Sequence, residues 1–433
     1  MNWSDTKNIL RHNYVRVGIS LCFFLWIIFS LPLHTSKISL HIDEIAWFID
    51  TDAFEQLFLK KDLSSSFWQA DQRYDQPPLV KYIYGSYLWA KDSEVFENRV
   101  KLEKEWGRWG IYSNPNTTEA GFEIFEPYIR QMRQINSVGL FGTLLAFYIL
   151  MILIGNTGVV AAMIGTTLLS QNALFLQEMT HATHDGFMLC FMLFSVLFYS
   201  LYIKTKQKYW IPLAIVYAVF SVASKLTGIM ATIAILTHQI VNMLNQRNQN
   251  KSVVVRVLAI TSSIFILWVL VNPSLYKDSI NNTIKYFSFR MIQTSRLQEA
   301  YPSASLVTLP SKVRASWCTL VAPECHGFFE KGTFTSQLWV NVSLLLLGLF
   351  YLAQNIYYNT KKEYIGILGI FLFLIIVWNV VLLPMHYGRY YLPTLIGIFF
   401  ISACGAQMLL LSIFWVLKNK TPAFRRGIFD KTS

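Results

Sequence analysis

The apolar positions of this chain gather into runs, not into short alternating stretches. Ten runs stand out, near 17–33, 136–155, 158–177, 186–203, 210–229, 230–246, 254–271, 337–355, 365–384 and 391–416. Each is close to the roughly 20 residues that an α-helix needs to cross a bilayer. The pattern predicts an all-α polytopic membrane protein with about ten transmembrane helices.

Two long segments interrupt the runs, 34–135 and 272–336. Within the first, Ile42, Ile45, Ile49, Ala53 and Leu57 recur at helical spacing with acids on the other face. This predicts an amphipathic helix over 42–58 lying on the membrane surface. Residues 78–90 predict a second one, rich in the tyrosine and tryptophan of interfacial segments. No fixed-period repeat is visible. The organisation expected is one membrane domain, 1–433, with a cap built from the two long loops.

Composition agrees. Of 433 residues, 54% are hydrophobic and 14% charged, against about 25% charged in soluble domains. The net charge of +12 raises a nucleic-acid reading, but the basic residues flank apolar runs instead of forming one polar face, so no nucleic-acid partner is expected. With the N-terminus inside, the cytoplasmic segments hold Lys7, Arg11 and Arg16; Lys204, Lys206 and Lys208; Arg247, Lys251 and Arg256; Lys361 and Lys362; and Lys418, Lys420, Arg425, Arg426 and Lys431, against the acids Asp5, Glu363 and Asp430. The basic surplus therefore falls on one side, as the positive-inside rule requires. Both termini are expected in the cytoplasm, with the long loops on the other side. The first run, after its basic start, is expected to be a retained anchor because no small-x-small cleavage site follows. Cys22, Cys190 and Cys404 lie in apolar runs and read as inert core residues. Cys318 and Cys325 lie in a polar loop, where a disulfide and two free thiols are equally compatible with the spacing.

The candidate chemistry collects at the ends of the runs. Asp43 and Glu44 follow the first run by about ten residues, at headgroup depth, where a carboxylate can act as general base for a hydroxyl; composition alone favours the solvated face of a surface helix. In Asp75-Gln76-Pro77-Pro78-Leu79-Val80-Lys81 the prolines fix a turn and a helix start. Lys81 then either reaches a phosphate as a point charge or snorkels. Arg130 and Arg133 precede the second run on the outer side, where arginine offers a fork for phosphate oxygens or an interfacial anchor. Asp185 lies near Glu178, His181 and His184 at a turn between runs; such a cluster suits a divalent metal by ligand type, but its spacing matches no standard ligand set. Lys225 sits near the outer end of the fifth run and Arg389 joins the last two. Costly ionisable groups at such depth usually face a cavity. Cations around a leaving phosphate with a carboxylate for the acceptor proton suit transfer from a lipid-phosphate donor. No Gly-x-x-x-x-Gly-Lys or glycine-rich strand–helix turn is present.

These motifs resemble those of the GT-C membrane glycosyltransferases, in particular the protein O-mannosyltransferases and their bacterial relatives that include the aminoarabinose transferase of lipid A. Asp43-Glu44 looks like the family's Asp-Glu pair, and Pro77-Pro78-Leu79-Val80-Lys81 is similar to its Pro-Pro-Leu-Gly-Lys. Met132-Arg133 with Phe141-Gly142-Thr143-Leu144 resembles its entry to the second span. Ser224-Lys225-Leu226-Thr227-Gly228 resembles Ser-Lys-Tyr-Thr-Gly, and Arg389-Tyr390-Tyr391-Leu392-Pro393 its Arg-Tyr-Tyr-Leu-Pro. The resemblance implies an inverting monosaccharide transfer from a polyprenyl (dolichyl or undecaprenyl) phosphate to a protein, lipid or polysaccharide acceptor on the non-cytoplasmic face. The membrane would be the plasma membrane in a bacterium or archaeon and the endoplasmic reticulum in a eukaryote. Asp43 would be the catalytic base with Glu44 beside it. Asp75, Lys81, Arg133, Asp185, Lys225 and Arg389 would bind substrate. The chain departs from the family at Gln76, Val80 and Thr180, which stand for histidine, glycine and arginine. Residues 91–130 match no known motif, and the second loop is too short for a β-trefoil domain. A Trp-Trp-Asp motif is absent, which disfavours the oligosaccharyltransferase branch. The competing readings are a transporter or flippase of a lipid-linked or anionic solute, and a non-catalytic scaffold.

Overall fold

The computed structural model describes residues 15–30, 38–64, 66–74, 76–106, 115–153, 155, 157–245, 250–320, 338–358 and 363–420. Asp75, Cys325 and eight of the sixteen flanking basic residues lie outside them, and the side chain of Cys318 is likewise not described. Among the described residues the chain is nearly all helical. No strand forms, and the sole β-type pairing is an isolated bridge between Ser305 and Met385.

The helices run in chain order as α1 (Val15–Ser30), α2 (Ile42–Ile49), α3 (Leu79–Lys91), α4 (Val95–Trp106), α5 (Pro115–Leu153), α6 (Val159–Ser170), α7 (Ala173–Thr180), α8 (Asp185–Thr205), α9 (Trp210–Ser224), α10 (Ile229–Asn245), α11 (Asn250–Val271), α12 (Ser279–Ala300), α13 (Leu309–Leu320), α14 (Leu338–Tyr358), α15 (Glu363–Val377) and α16 (Leu392–Lys420). Four of the described helices are long and apolar enough to cross a membrane, or five if the bent pair α6–α7 makes one span. α1, α9, α10, α14 and α15 carry shorter apolar stretches. The chain is therefore an integral membrane protein, and each of the ten apolar runs contains a helix.

The boundaries differ from expectation in informative places. α5 begins some twenty residues before the expected start at 136, because the helix continues past its apolar part and carries Arg130 and Arg133 with it. The run at 158–177 is two helices bent by 67°. Asn172 makes the break by capping α7, its side chain accepting from the Phe175 N–H at 2.9 Å. α9 ends at Ser224, which leaves Lys225 extended just beyond the helix.

The expected surface helix over 42–58 is overturned. α2 stops at Ile49, and residues Asp52–Phe54 and a π-helical turn at Glu55–Leu59 follow. Ile45, Phe48, Ile49, Ala53 and Phe54 are buried against Phe125, Ile129, Met132 and Phe187, so the apolar face meets protein instead of lipid. Its acids are not a solvated face: Glu44 is 0% exposed and Asp50 5%. Asp50 pairs with Lys81, Asp52 with Arg73, and Glu55 with Arg99. Buried charge is retained only where it is paired. α3 forms where expected, directly after the two prolines, and buries Val80, Lys81, Tyr82, Tyr84, Gly85 and Leu88. A Cβ on Gly85 would lie 2.4 Å from the Cβ of Phe54, so glycine is what lets α3 close on that segment.

A larger core joins α5, α6, α8, α9, α10, α15 and α16. α14 meets α16 backbone to backbone: a Cβ on Gly348 would lie 1.8 Å from the Ile401 carbonyl oxygen, and one on Gly405 would lie 2.0 Å from that of Leu344. Small residues allow such approach where helices associate in lipid. Cys190 and Cys404 are buried as expected, whereas Cys22 is exposed, because α1 packs through its Phe23, Phe24 and Ile27 side.

Candidate active site

α2 begins with a capping box. The His41 N–H donates to Glu44 Oε2 at 2.8 Å, and the Asp43 N–H donates to His41 Nδ1 at 3.2 Å. This sets the two carboxylates on different partners. Glu44 accepts from Arg133 through Nε and Nη2, both at 2.7 Å, and from the Ala182 N–H at 2.6 Å. Arg133 also donates to the carbonyls of Ile38 and Ser39 at 2.8 and 2.7 Å. The pair thus ties the start of α2 to α5 and to the loop 181–184. Asp43 keeps partial exposure, 24% of its side chain, and takes Arg389 Nη1 at 2.5 Å.

A second pair forms at the same end of the helix bundle. Asp185 opens α8 and Lys225 follows α9, its antiparallel neighbour. Lys225 Nζ lies 2.6 Å from Asp185 Oδ1 and 5.2 Å from the centre of the Tyr390 ring. Tyr390 follows Arg389 and receives Arg290 Nη2 on its hydroxyl at 3.2 Å. A third pair is Lys81 with Asp50, Nζ to Oδ2 at 3.2 Å, and the ammonium also donates to the Gln76 carbonyl at 3.2 Å. Trp47 connects the pairs. Its ring centre lies 5.8 Å from Lys81 Nζ and 4.7 Å from the His184 ring.

The histidine loop is held from below by Asn136. Its side-chain N–H group donates to the carbonyls of Met179 and His181 at 2.7 and 2.8 Å. The Tyr84 hydroxyl lies 2.6 Å from the Thr183 carbonyl and 3.1 Å from Asn136 Oδ1. Burial keeps the histidines neutral. It pushes His181 down to about 4, against a smaller raising effect of Glu44. His184 is lowered well below its ordinary value, by burial and then by Lys225, Arg389, Arg290 and Lys81. Burial also lowers His41, opposed by Asp43.

The structure therefore gathers Asp43, Lys81, Asp185, Lys225 and Arg389 around Trp47, His184 and Tyr390. It places Glu44 and Arg133 beside them in a saturated pair. Arg130 stands apart on the surface with Glu126. Among the described residues no group of three or more His, Cys, Asp and Glu side chains is placed to hold a metal ion. The sequence reading did not single out His41, Trp47, Asp50, Asn136 or Arg290. Asn136 leaves a trace, as a polar residue at the start of an apolar run; Arg290, on a mixed-charge helix, leaves none.

Residues 118–276 match the family model described as dolichyl-phosphate-mannose-protein mannosyltransferase. The chain resembles that family over this stretch. The matched stretch includes Arg133, Asp185 and Lys225, whereas Asp43, Lys81 and Arg389 lie outside it. No curated protein matches the chain. Among solved structures, the chain is similar to the crystal structure of the Archaeoglobus fulgidus oligosaccharyltransferase in the apo form, with 12% identity and a TM-score of 0.49. That alignment covers 92% of this chain and 52% of the oligosaccharyltransferase, so this chain spans about half its length.

Proposed function

We propose that this protein is a membrane glycosyltransferase that moves a monosaccharide from a polyprenyl-phosphate donor to a hydroxyl acceptor. The observation that carries the reading is Asp43: a partly exposed carboxylate held by Arg389, beside a centre where Lys225, Arg389, Arg290 and Lys81 all act on one imidazole. A general base next to concentrated positive charge is what displacement of a phosphate leaving group requires. The family match over 118–276 supports the same class of donor.

In the proposed step Asp43 takes the acceptor proton as the acceptor oxygen attacks the anomeric carbon. The bond from that carbon to the phosphate oxygen breaks on the opposite face, and the electron pair leaves with the phosphate. The sugar configuration inverts. Arg389, Lys225 and Lys81 stabilise the charge that the departing lipid phosphate gains, and Asp185 holds Lys225 in place. Glu44 and Arg133 fix the start of α2 so that Asp43 presents its carboxylate. Asp75, next to the Gln76 that meets Lys81, belongs to the proposed donor side. Protein, lipid or polysaccharide acceptors all offer the required hydroxyl. In the proposed topology ten spans cross the bilayer, both termini are cytoplasmic, and the segments around α2–α4 and α12–α13 cap the outer face.

The test is release of polyprenyl phosphate in proteoliposomes supplied with undecaprenyl- or dolichyl-phosphate sugars and a hydroxyl acceptor. Wild-type protein should release it with formation of a glycoside, and Asp43→Asn should slow release by about 10²–10⁴-fold, the range of a lost general base. Transbilayer movement of the donor without a covalent product would replace this reading by that of a flippase.

A further inference from the structure

His184 lies next to the Asp185–Lys225 pair and under the Trp47 ring that also faces Lys81, and the proposed chemistry does not use it. It is 3% exposed. Both of its ring nitrogens, Nδ1 and Nε2, are buried without a hydrogen-bond partner. Asp185 Oδ2 stands 3.6 Å from Nε2, beyond hydrogen-bond length, since that carboxylate is already engaged by Lys225 at 2.6 Å. Trp47 covers the ring at 4.7 Å. A neutral imidazole carries one N–H donor and one acceptor, and native proteins seldom bury such atoms unpaired. The charged groups acting on the ring from several elements are Lys225 after α9, Arg389 before α16, Arg290 on α12 and Lys81 on α3, with Asp185 as the acid beside it. A buried donor without an acceptor, placed among four cations, is complementary to an anion with several oxygens.

We propose that His184 is a phosphate-binding residue: its ring N–H donates to an oxygen of the lipid phosphate, while the surrounding cations supply the charge. This deepens the glycosyltransferase reading and rests on it for the identity of the lipid. In the donor the phosphate is a diester with one negative charge. When the carbon–oxygen bond breaks, the bridging oxygen becomes terminal and the product is a monoester approaching two charges near neutral pH. The acceptor proton goes to Asp43, so His184 transfers no proton. It contributes a hydrogen bond that strengthens as charge grows on the oxygen, as bonds to ionised acceptors do. The residue therefore favours the product phosphate over the donor diester.

The experiment measures binding of undecaprenyl phosphate, undecaprenol and inorganic phosphate to the full-length protein in detergent, for wild type, His184→Phe and His184→Gln. Wild type should bind undecaprenyl phosphate and discriminate strongly against undecaprenol. His184→Phe should weaken undecaprenyl phosphate tenfold or more and leave undecaprenol unchanged. His184→Gln, which keeps a side-chain N–H, should recover most of the loss. Undiminished binding by His184→Phe, or an equal loss for undecaprenol, would overturn the assignment. Inorganic phosphate binding as tightly as the lipid would show that the site takes a free anion and would overturn the lipid assignment. If His184→Phe does not fold, His184→Leu is read in the same assay. A wild-type protein that binds undecaprenyl phosphate through His184 yet releases none from a sugar donor would remove the transferase reading and leave this site standing.

Discussion

The guanidinium of Arg389 lies 2.5 Å from the carboxylate of Asp43, so residues 346 positions apart meet in one ion pair. One belongs to the segment after the first apolar helix, the other to the turn before the last. Arg389 both orients the carboxylate and joins the cations around His184. Arg389→Ala should lower the rate of polyprenyl phosphate release by roughly 10–100-fold, within the range of lost catalytic positioning. Arg389→Lys should fall between, because an ammonium lacks the planar fork. Full turnover by Arg389→Ala alongside an inactive Asp43→Asn would show that the pair does not position the base.

Glu44 makes the opposite prediction. It is fully buried and accepts from Arg133, His41 and Ala182. Glu44→Ala strands the Arg133 guanidinium and two backbone donors, and breaking a buried pair costs about 3–5 kcal/mol. The unfolding midpoint in detergent should drop markedly, and Glu44→Gln should drop it less. A Glu44→Ala protein with wild-type stability would contradict a structural role.

Much of this was legible in the sequence because hydropathy reports burial in lipid directly, and all ten apolar runs contain helices. The helix ends were less legible. Asn172 breaks one run by a local cap that hydropathy does not weigh, and α5 runs on through polar residues because helical hydrogen bonds do not stop at the edge of an apolar stretch. The segment after residue 41 misled for a different reason. Alternating acids and apolar residues look alike whether the acids meet water or buried cations, and Lys81, Arg73 and Arg99, the partners of Asp50, Asp52 and Glu55, are remote in sequence. The motif residues Asp43, Lys81, Asp185, Lys225 and Arg389 lie near one another, while Trp47 and Arg290 became visible only in three dimensions.

Acid should destabilise the histidine loop. His181 is held down at about 4 in the folded protein, against an ordinary value near 6.5 in the unfolded chain. Between these values the unfolded state binds more protons, so stability rises with pH across that window. The contribution is complete above about 6.5 and is lost as pH falls toward 4, at about 1.4 kcal/mol per pH unit at most. His41 is also lowered, which acts in the same direction. Unfolding midpoints in detergent from pH 7.5 to 4 should fall, and His181→Phe should flatten the profile. The charges facing His181 are Glu44, His41 and Arg133, so the profile should be read with each of them intact.

Two glycines in helices should behave differently from a third. Gly348→Val and Gly405→Val would each drive a side chain into a facing carbonyl oxygen at about 2 Å, and neither backbone can retreat cheaply. Both should sharply reduce the yield of folded protein. Gly369→Ala on α15 has open space around the new methyl and should be neutral or more stable by about 0.5–1 kcal/mol, the cost of glycine in a helix. Equal losses at all three positions would argue against the α14–α16 contact.

Carried straight on, α6 would take the eight residues of α7 about 12 Å further along its own axis. The 67° turn at Gln171 and Asn172 instead swings the chain sideways, so that the carbonyls of Met179 and His181 dock on Asn136 and the Ala182 amide docks on Glu44. The two histidines are thereby carried on one braced arm. A tilt of α7 would shift both rings in step, and a mutation at Asn172 would reach the proposed phosphate-binding centre without touching any residue in it.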